Sequence, residues 1–421
     1  MRIRRRKKKN MYIFLVLFAL ILLMLFFFVY ERKTDVNKGA GDTKQISYGK
    51  YVKTIKDTYL YDDKGNKVGI VGKGVEISLN DGKSLLKKKY LKVADFDNKY
   101  YIDYKYLNSI KELSVVDDRY KNYIVFNENI ITNDKTSFYD EDGNLVYQFN
   151  ESYDLPIIIK TDDKYGVEYN NRLLYVKKDD VKDLRENYNT DQRNSSGIGV
   201  LNYHAFYDEN NEEEKSNCVS DICHSKSQFK THLDYFKDND ILTLKMKEVE
   251  MYIDGKLQLP KSVLITIDDG DRTKIAVDML TEYKMYATIF LITSWYDPSE
   301  YYKTDYIELH SHGDNLHNTG VCPTGQGGGI QCLSEDEIQK DLKTTREKLD
   351  NTTYFCYPFY EYNEYSIRML KEAGFTMAFI GESSKSDNLV HVDSDKFRLR
   401  RFVIVTYTTL DDFNEYFGQI S

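Results

Sequence analysis

Beyond its first ten residues this chain is short of positive charge. It holds 59 Lys and Arg against 67 Asp and Glu, and seven of the bases lie in residues 2–9, which leaves 52 against 67. A remainder that is about 15 units acidic argues against nucleic acid or anionic lipid as a partner, and suits a neutral or cationic glycan. Cysteine is scarce too, with five in 421 residues. Cys218 and Cys223 form one close pair, Cys322 and Cys332 another, and Cys356 stands alone. Neither spacing is a C-x-x-C zinc knuckle. Outside a membrane such pairs predict two loop-pinning disulfides, whose connectivity spacing does not fix. The glycine-rich stretch 324–329 lacks the Lys-Ser/Thr of a phosphate loop.

What is present begins with the N-terminus. Arg2, Arg4, Arg5, Arg6, Lys7, Lys8 and Lys9 precede an uncharged apolar run, residues 11–30, long enough to span a bilayer core as a helix. The run ends Phe26, Phe27, Phe28, Val29, Tyr30 without small residues at a cleavage site, so it reads as an uncleaved signal anchor. The basic tail, residues 1–10, belongs in the cytoplasm and the bulk of the chain outside the cell. The expected localisation is therefore the cell membrane, single-pass, with the exterior at the cell wall.

Residues 31–48 read as a polar tether. Residues 49–112 and 120–185 then read as two small all-β modules. Thr58, Tyr59, Leu60, Tyr61, Asp62, Asp63, Lys64, Gly65, Asn66 in the first are echoed by Thr136, Ser137, Phe138, Tyr139, Asp140, Glu141, Asp142, Gly143, Asn144 in the second. Each copy is a strand followed by an Asp/Gly/Asn hairpin turn. The closing strands around Ile102 and Val176 are similar to bacterial SH3-like wall-associated domains. The modules are expected either to bind the wall or to space the next domain from the membrane.

From residue 197 to 421 strands and helices alternate. Strands are expected at 199–203, 241–243, 263–267, 287–292, 306–309, 354–357, 376–380 and 399–405, and helices at 226–239, 272–283, 335–350 and 363–373. Alternation of this kind predicts a mostly parallel α/β sheet, at this length a barrel, with its site at the carboxyl ends of the strands.

Three groups fall at such ends. Val263, Leu264, Ile265, Thr266, Ile267 form a buried strand that stops at Asp268, Asp269 and Gly270. Two adjacent carboxylates repel unless a cation joins them. Of the seven histidines, His310, His312 and His317 fall within eight residues. A carboxylate with two imidazoles is a frequent divalent-metal set that leaves a position for water. His204 follows the first strand of the domain.

These residues carry a resemblance. Thr266-Ile267-Asp268-Asp269-Gly270 resembles the first motif of the polysaccharide deacetylases of carbohydrate esterase family 4, with a NodB-homology domain. His312-x-x-x-x-His317 is similar to their second motif, in the spacing of the poly-N-acetylglucosamine branch. Tyr357-Pro358-Phe359-Tyr360 resembles the third motif, and Tyr203-His204 the early Tyr-His motif of that branch. The resemblance implies a distorted (β/α) barrel catalytic domain, preceded here by the two SH3-like modules and one transmembrane helix. It implies Asp269, His312 and His317 as ligands of Zn2+ or another divalent transition metal, Asp268 as general base and His204 as general acid, with His391 the weaker alternative. An oxyanion would lean on the metal and a backbone N–H near Tyr360. The implied activity is removal of acetyl groups from N-acetylglucosamine. The expected substrate is cell-wall peptidoglycan, with poly-N-acetylglucosamine second and an inactive wall-binding or sensing protein as the other class.

There are departures. The arginine of the wider family's third motif is matched by Cys356, the glycine after Pro and an aromatic by Tyr360, and the threonine after the first ligand histidine by Gly313. The segment 324–329 reads as a mobile lip beside the site, pinned by Cys322 and Cys332. Tyr207, Trp295, Tyr357, Phe359 and Tyr360 are candidates to stack on sugar rings, against a reading of each as core.

Overall fold

The computed structural model describes residues 49–80, 90–187, 195–381 and 389–418. The basic tail, the apolar run 11–30 and the tether lie outside the described residues. Among the described residues no helix is long and apolar enough to cross a membrane.

The N-terminal region is all β. Its first repeat holds β1 (Tyr51–Thr54), β2 (Thr58–Tyr61), β3 (Lys67–Val71), β4 (Glu76–Ser78), β5 (Tyr90–Lys92), β6 (Tyr101–Asp103) and β7 (Leu107–Ile110). The second holds β8 (Glu128–Thr132), β9 (Thr136–Tyr139), β10 (Leu145–Phe149), β11 (Asp154–Pro156), β12 (Ile159–Lys160), β13 (Lys164–Tyr169), β14 (Arg172–Lys177) and β15 (Val181–Glu186). The order β4-β1-β7 recurs as β11-β8-β15. The hairpin turns form because Asp62 and Asp140 each accept the backbone N–H four residues on, from Asn66 and Asn144. The repeats are not separate beads. β3 and β10 pair antiparallel, Val71 opposite Tyr147, and fuse both into one nine-stranded sheet. Joining two edges in this way satisfies backbone groups that would otherwise stand open. The approach is so close that a Cβ on Gly72 would sit 1.7 Å from the carbonyl oxygen of Leu145.

The C-terminal region is an α/β half-barrel. Its strands are β16 (Gly199–Tyr203), β17 (Ala205–Tyr207), β18 (Cys223–Ser225), β19 (Leu242–Thr243), β20 (Ser262–Asp269), β21 (Ala287–Leu291), β22 (Ile307–Ser311), β23 (Tyr354–Cys356), β24 (Met377–Phe379) and β25 (Phe402–Val403). A parallel sheet runs β24-β23-β22-β21-β20-β16-β25, with β19 beside β20. The distorted (β/α) barrel expected here is thus open on one side. β24 and β25 do not pair; a single bridge, Phe379 to Leu399, links β24 to the segment that leads into β25. The strand expected over 399–405 is only Phe402–Val403, because the chain before it crosses the opening instead of pairing along it.

The faces of β20 explain the site. Val263, Ile265 and Ile267 pack outward on the helices Lys226–Asp238 and Lys274–Tyr283. Leu264 points into the barrel among Phe290, Cys356 and Phe379. By the two-residue period, Thr266 and then Asp268 follow Leu264 on that inner face. The helix Met246–Ile253, absent from the sequence expectation, closes the amino ends of the strands, where Met246 N–H donates to Glu308 at 2.8 Å. The second β repeat covers this same end. Its Tyr120, Ile158, Ile159 and Tyr175 share a core with Met246, Val249 and Leu257.

Candidate active site

The two adjacent carboxylates diverge in role because the backbone turns between them. Asp268 is the last inward residue of β20, and Asp269 takes a left-handed φ of 70°, followed by Gly270 at 93°. Asp269 is thereby swung to the same rim instead of the opposite face of the sheet.

Asp268 is 1% exposed and lies in a bidentate pair with Arg401, Nη1 to Oδ1 at 2.7 Å and Nη2 to Oδ2 at 2.8 Å. Burial by itself would raise the pKa of this carboxyl, but the guanidinium, with His312 adding, holds it well below the usual range. Arg401 is fully buried and enters through the opening between β24 and β25, where its Nε–H donates to the carbonyl of Ile380 at 3.0 Å. It was not among the residues expected at the site. Its only sequence signal is the run Arg398, Leu399, Arg400, Arg401, over 130 positions from its partner.

Arg401 accounts for two of the departures. Cys356 is small and buried, and its sulfur accepts from Arg401 Nη2 at 3.0 Å while its S–H faces Asp268 Oδ2 at 3.4 Å. A long side chain at position 356 would occupy the space the guanidinium fills. Tyr360 stands over Arg401, ring centroid 5.5 Å away, and donates its hydroxyl to Asn202 at 2.6 Å. Gly381 makes room for that ring, since a Cβ there would lie 2.5 Å from it.

Asp269 Oδ1 lies 3.3 Å from His312 Nε2 and 3.4 Å from His317 Nε2. That oxygen is buried and has no hydrogen-bond partner. His312 Nδ1 lies 2.8 Å from the carbonyl of Cys356. A carbonyl only accepts, so Nδ1 carries a proton and Nε2 is the ring atom that faces Asp269. Three ligand atoms within 4.8 Å of one another, one of them an orphaned buried oxygen, fit a divalent metal. His310 is set apart: its Nδ1 bonds Thr352 at 2.7 Å, and burial pushes its pKa down to about 3, so it is a neutral core histidine.

His204 lies against Asp268 and Asp269 at the end of β16, and its buried Nδ1 has no partner. Burial lowers its pKa, while the two carboxylates pull the other way. His391 is at the opposite end of the same strand, its Nδ1 on the carbonyl of Ser196 at 2.7 Å. A pocket of about 100 Å³ opens between His204, Asp268 and Asp269 on one side and Ala205, Ile222 and Cys223 on the other. Cys218 is bonded to Cys223 and Cys322 to Cys332, which leaves Cys356 as the free thiol.

The backbone N–H of Tyr360 is spent on the carbonyl of Tyr357 at 3.0 Å. The glycine-rich lip is held by Glu361 as well as by the disulfide, with Gly328 N–H and Gln331 Nε2 each 2.9 Å from Oε2. Of the candidate stacking residues, Tyr357 is core and Tyr360 seals Arg401. Phe359 lies 4.2 Å and Trp295 5.5 Å from the His317 ring, and Trp295 is 52% exposed.

The half-barrel thus brings paired carboxylates and two histidines together at the carboxyl ends of its strands, in a group that could hold a metal ion. Comparison gives the narrower likeness: residues 256–378 match the family model described as polysaccharide deacetylase. The chain is 28% identical over 226 residues to the poly-beta-1,6-N-acetyl-D-glucosamine N-deacetylase of Staphylococcus aureus (strain MSSA476), covering 48% of this chain and 73% of that one. It is 28% identical over 166 residues to YxkH of Bacillus subtilis (strain 168), named for the same family, and spans 58% of that relative's length and 37% of its own. Among solved structures, a de-N-acetylase from Aggregatibacter actinomycetemcomitans aligns at a TM-score of 0.44 and 20% identity, over 52% of this chain and 99% of that one.

Proposed function

We propose that this chain is a metal-dependent N-deacetylase of a β-linked N-acetylglucosamine polymer, poly-β-1,6-N-acetylglucosamine in the first place. The observation that carries the reading is the orphaned Asp269 oxygen between two imidazole Nε2 atoms, beside a carboxylate kept ionised by Arg401. The choice of polymer is supported by the name of the Staphylococcus aureus relative. Peptidoglycan, the substrate expected from the anchor and the modules, is the second reading, favoured by the β region on the same chain.

Asp269, His312 and His317 hold the ion, zinc in this proposal. When bound, it supplies Lewis-acid activation of the acetamide carbonyl and of water. Asp268 accepts the proton of the water as its oxygen adds to the acyl carbon. Arg401 fixes the direction of that carboxylate. His204 gives a proton to the sugar nitrogen as the C–N bond breaks, so that acetate and a free amine leave. The pocket beside His204 has the volume of about three waters, which admits a two-carbon acyl group and little more. Trp295 and Phe359 flank His317 and offer faces to neighbouring sugars. In the same proposal, residues 11–30 hold the chain in the membrane with the site outside.

The test is acetate release from β-1,6-linked N-acetylglucosamine oligomers and from peptidoglycan by the zinc-loaded chain, with Asp268→Asn as the control. Release from the oligomers that falls by at least about 100-fold in Asp268→Asn, with zinc still bound, supports the proposal. Release from peptidoglycan alone makes the second reading right. A chain that binds no zinc overturns the mechanism.

A further inference from the structure

The two β repeats are alike in topology yet filled differently where they meet. Gly69, Val71 and Val75 of the first correspond to Tyr147, Phe149 and Tyr153 of the second. The second repeat's aromatic residues pack with rings of the first and close that side of the junction. Phe96 lies 5.0 Å from Tyr147 and 5.4 Å from Phe149. On the other side Val75 borders a cleft of about 700 Å³, between the β3–β4 turn and the β9–β10 hairpin. That volume is in the range of ligand sites.

The cleft carries both signs of charge. Asp57, Glu76 and Asp140 line it together with Lys53, Lys73 and Arg172. Each carboxylate accepts at least one hydrogen bond from the protein. Asp57 accepts the Lys73 backbone N–H at 2.8 Å, Asp140 the Asn144 N–H at 2.7 Å, and Glu76 the Ser114 N–H at 2.7 Å and Lys53 Nζ at 3.4 Å. Arg172 gives one N–H to the carbonyl of Glu76 at 2.7 Å, and among the described residues neither it nor Lys73 is in an ion pair.

We infer that this cleft binds a short zwitterionic peptide, the carboxylate of an acidic side chain on Arg172 and Lys73 and its ammonium toward Asp57 and Asp140. Bidentate donors recognise a carboxylate, and the surrounding acids disfavour a uniformly anionic phosphate polymer. This site is independent of the deacetylase reading and lies in a different part of the chain.

Calorimetric titration of the full chain with the tetrapeptide Ala-Glu-Lys-Ala tests it. Saturable binding is expected, weakened about tenfold or more by Lys73→Glu, and weakened likewise when Ala-Gln-Lys-Ala replaces the peptide. Lys73 is exposed, so that variant should keep the parent's melting temperature. Val75→Tyr, which copies the filled side, should also block the peptide. Absence of saturable heat, equal binding by Lys73→Glu, or equal binding of polyglycerol phosphate overturns the inference.

Discussion

Arg401 decides what Asp268 can do. A carboxylate buried to 1% exposure would ordinarily take up a proton, and the guanidinium prevents this. The lowered value contributes stability above the group's ordinary 3.8, and that contribution is lost as pH falls through the folded value. Arg401→Met leaves a buried charge without its partner and should cost about 3–5 kcal/mol in denaturant unfolding. It should also move the acid limb of the kcat/KM profile to higher pH, because Asp268 then titrates later. Arg401→Lys should keep the charge but lose the fork, giving a smaller shift of the limb and a lower kcat. An unmoved acid limb in both variants would mean that Arg401 does not set the state of Asp268. That Asp269, His312 and His317 come together was legible in the sequence because they are confined to two short motifs. Arg401 was not, since nothing local distinguishes it from Arg398 and Arg400; only the opening between β24 and β25 brings it inside.

At the scale of elements, the loop from His312 to His317 is held by a neighbouring helix. Asp341, on the helix Glu335–Lys348, accepts the N–H of Asp314 at 2.8 Å and of Asn315 at 2.6 Å. Removing both acceptors in Asp341→Ala should weaken metal affinity on the order of 10–100-fold, read by competition with a chelator. Burial raises the Asp341 pKa from 3.8 to about 6 against those two N–H groups. For this carboxyl the fold favours the protonated form, so stability is lost as pH rises from about 4 to about 6. Asp341→Asn has no such titration. Its stability relative to the parent should therefore improve across that window by on the order of 3 kcal/mol, and a flat difference in urea unfolding between pH 4 and 7 would refute it. The alternation of strands and helices was readable here because each long element has a buried period. The helices Glu212–Asn217, Met246–Ile253 and Leu410–Gly418 were missed, being short segments whose packing partners are distant in sequence.

For the whole molecule, the decisive contact is the one between the β region and the amino ends of the barrel. Arg119 places Nη2 2.6 Å from Glu248 Oε2 and 2.7 Å from the carbonyl of Thr243, with side-chain exposures of 11% and 6% for the ion pair. Backbone bridges join Ile124 to Gln258 and Ile159 to Leu257. None of this could be read from the sequence, where the region looks like two independent modules: a pair formed across more than 120 positions leaves no periodic trace. The candidate active site lies at the other end of the strands, so the β region supports the barrel without lining the pocket beside His204. Because the apolar groups under Tyr120 and Ile158 belong to the same core as Leu264 and Phe290, the two regions should unfold together. Calorimetry on the parent should then give one transition. Arg119→Ala leaves Glu248 buried without its cation, a loss of about 3–5 kcal/mol at the interface, and should split that transition into two. Two transitions already present in the parent would mean that the shared core does not couple them, and that the β region is a spacer after all.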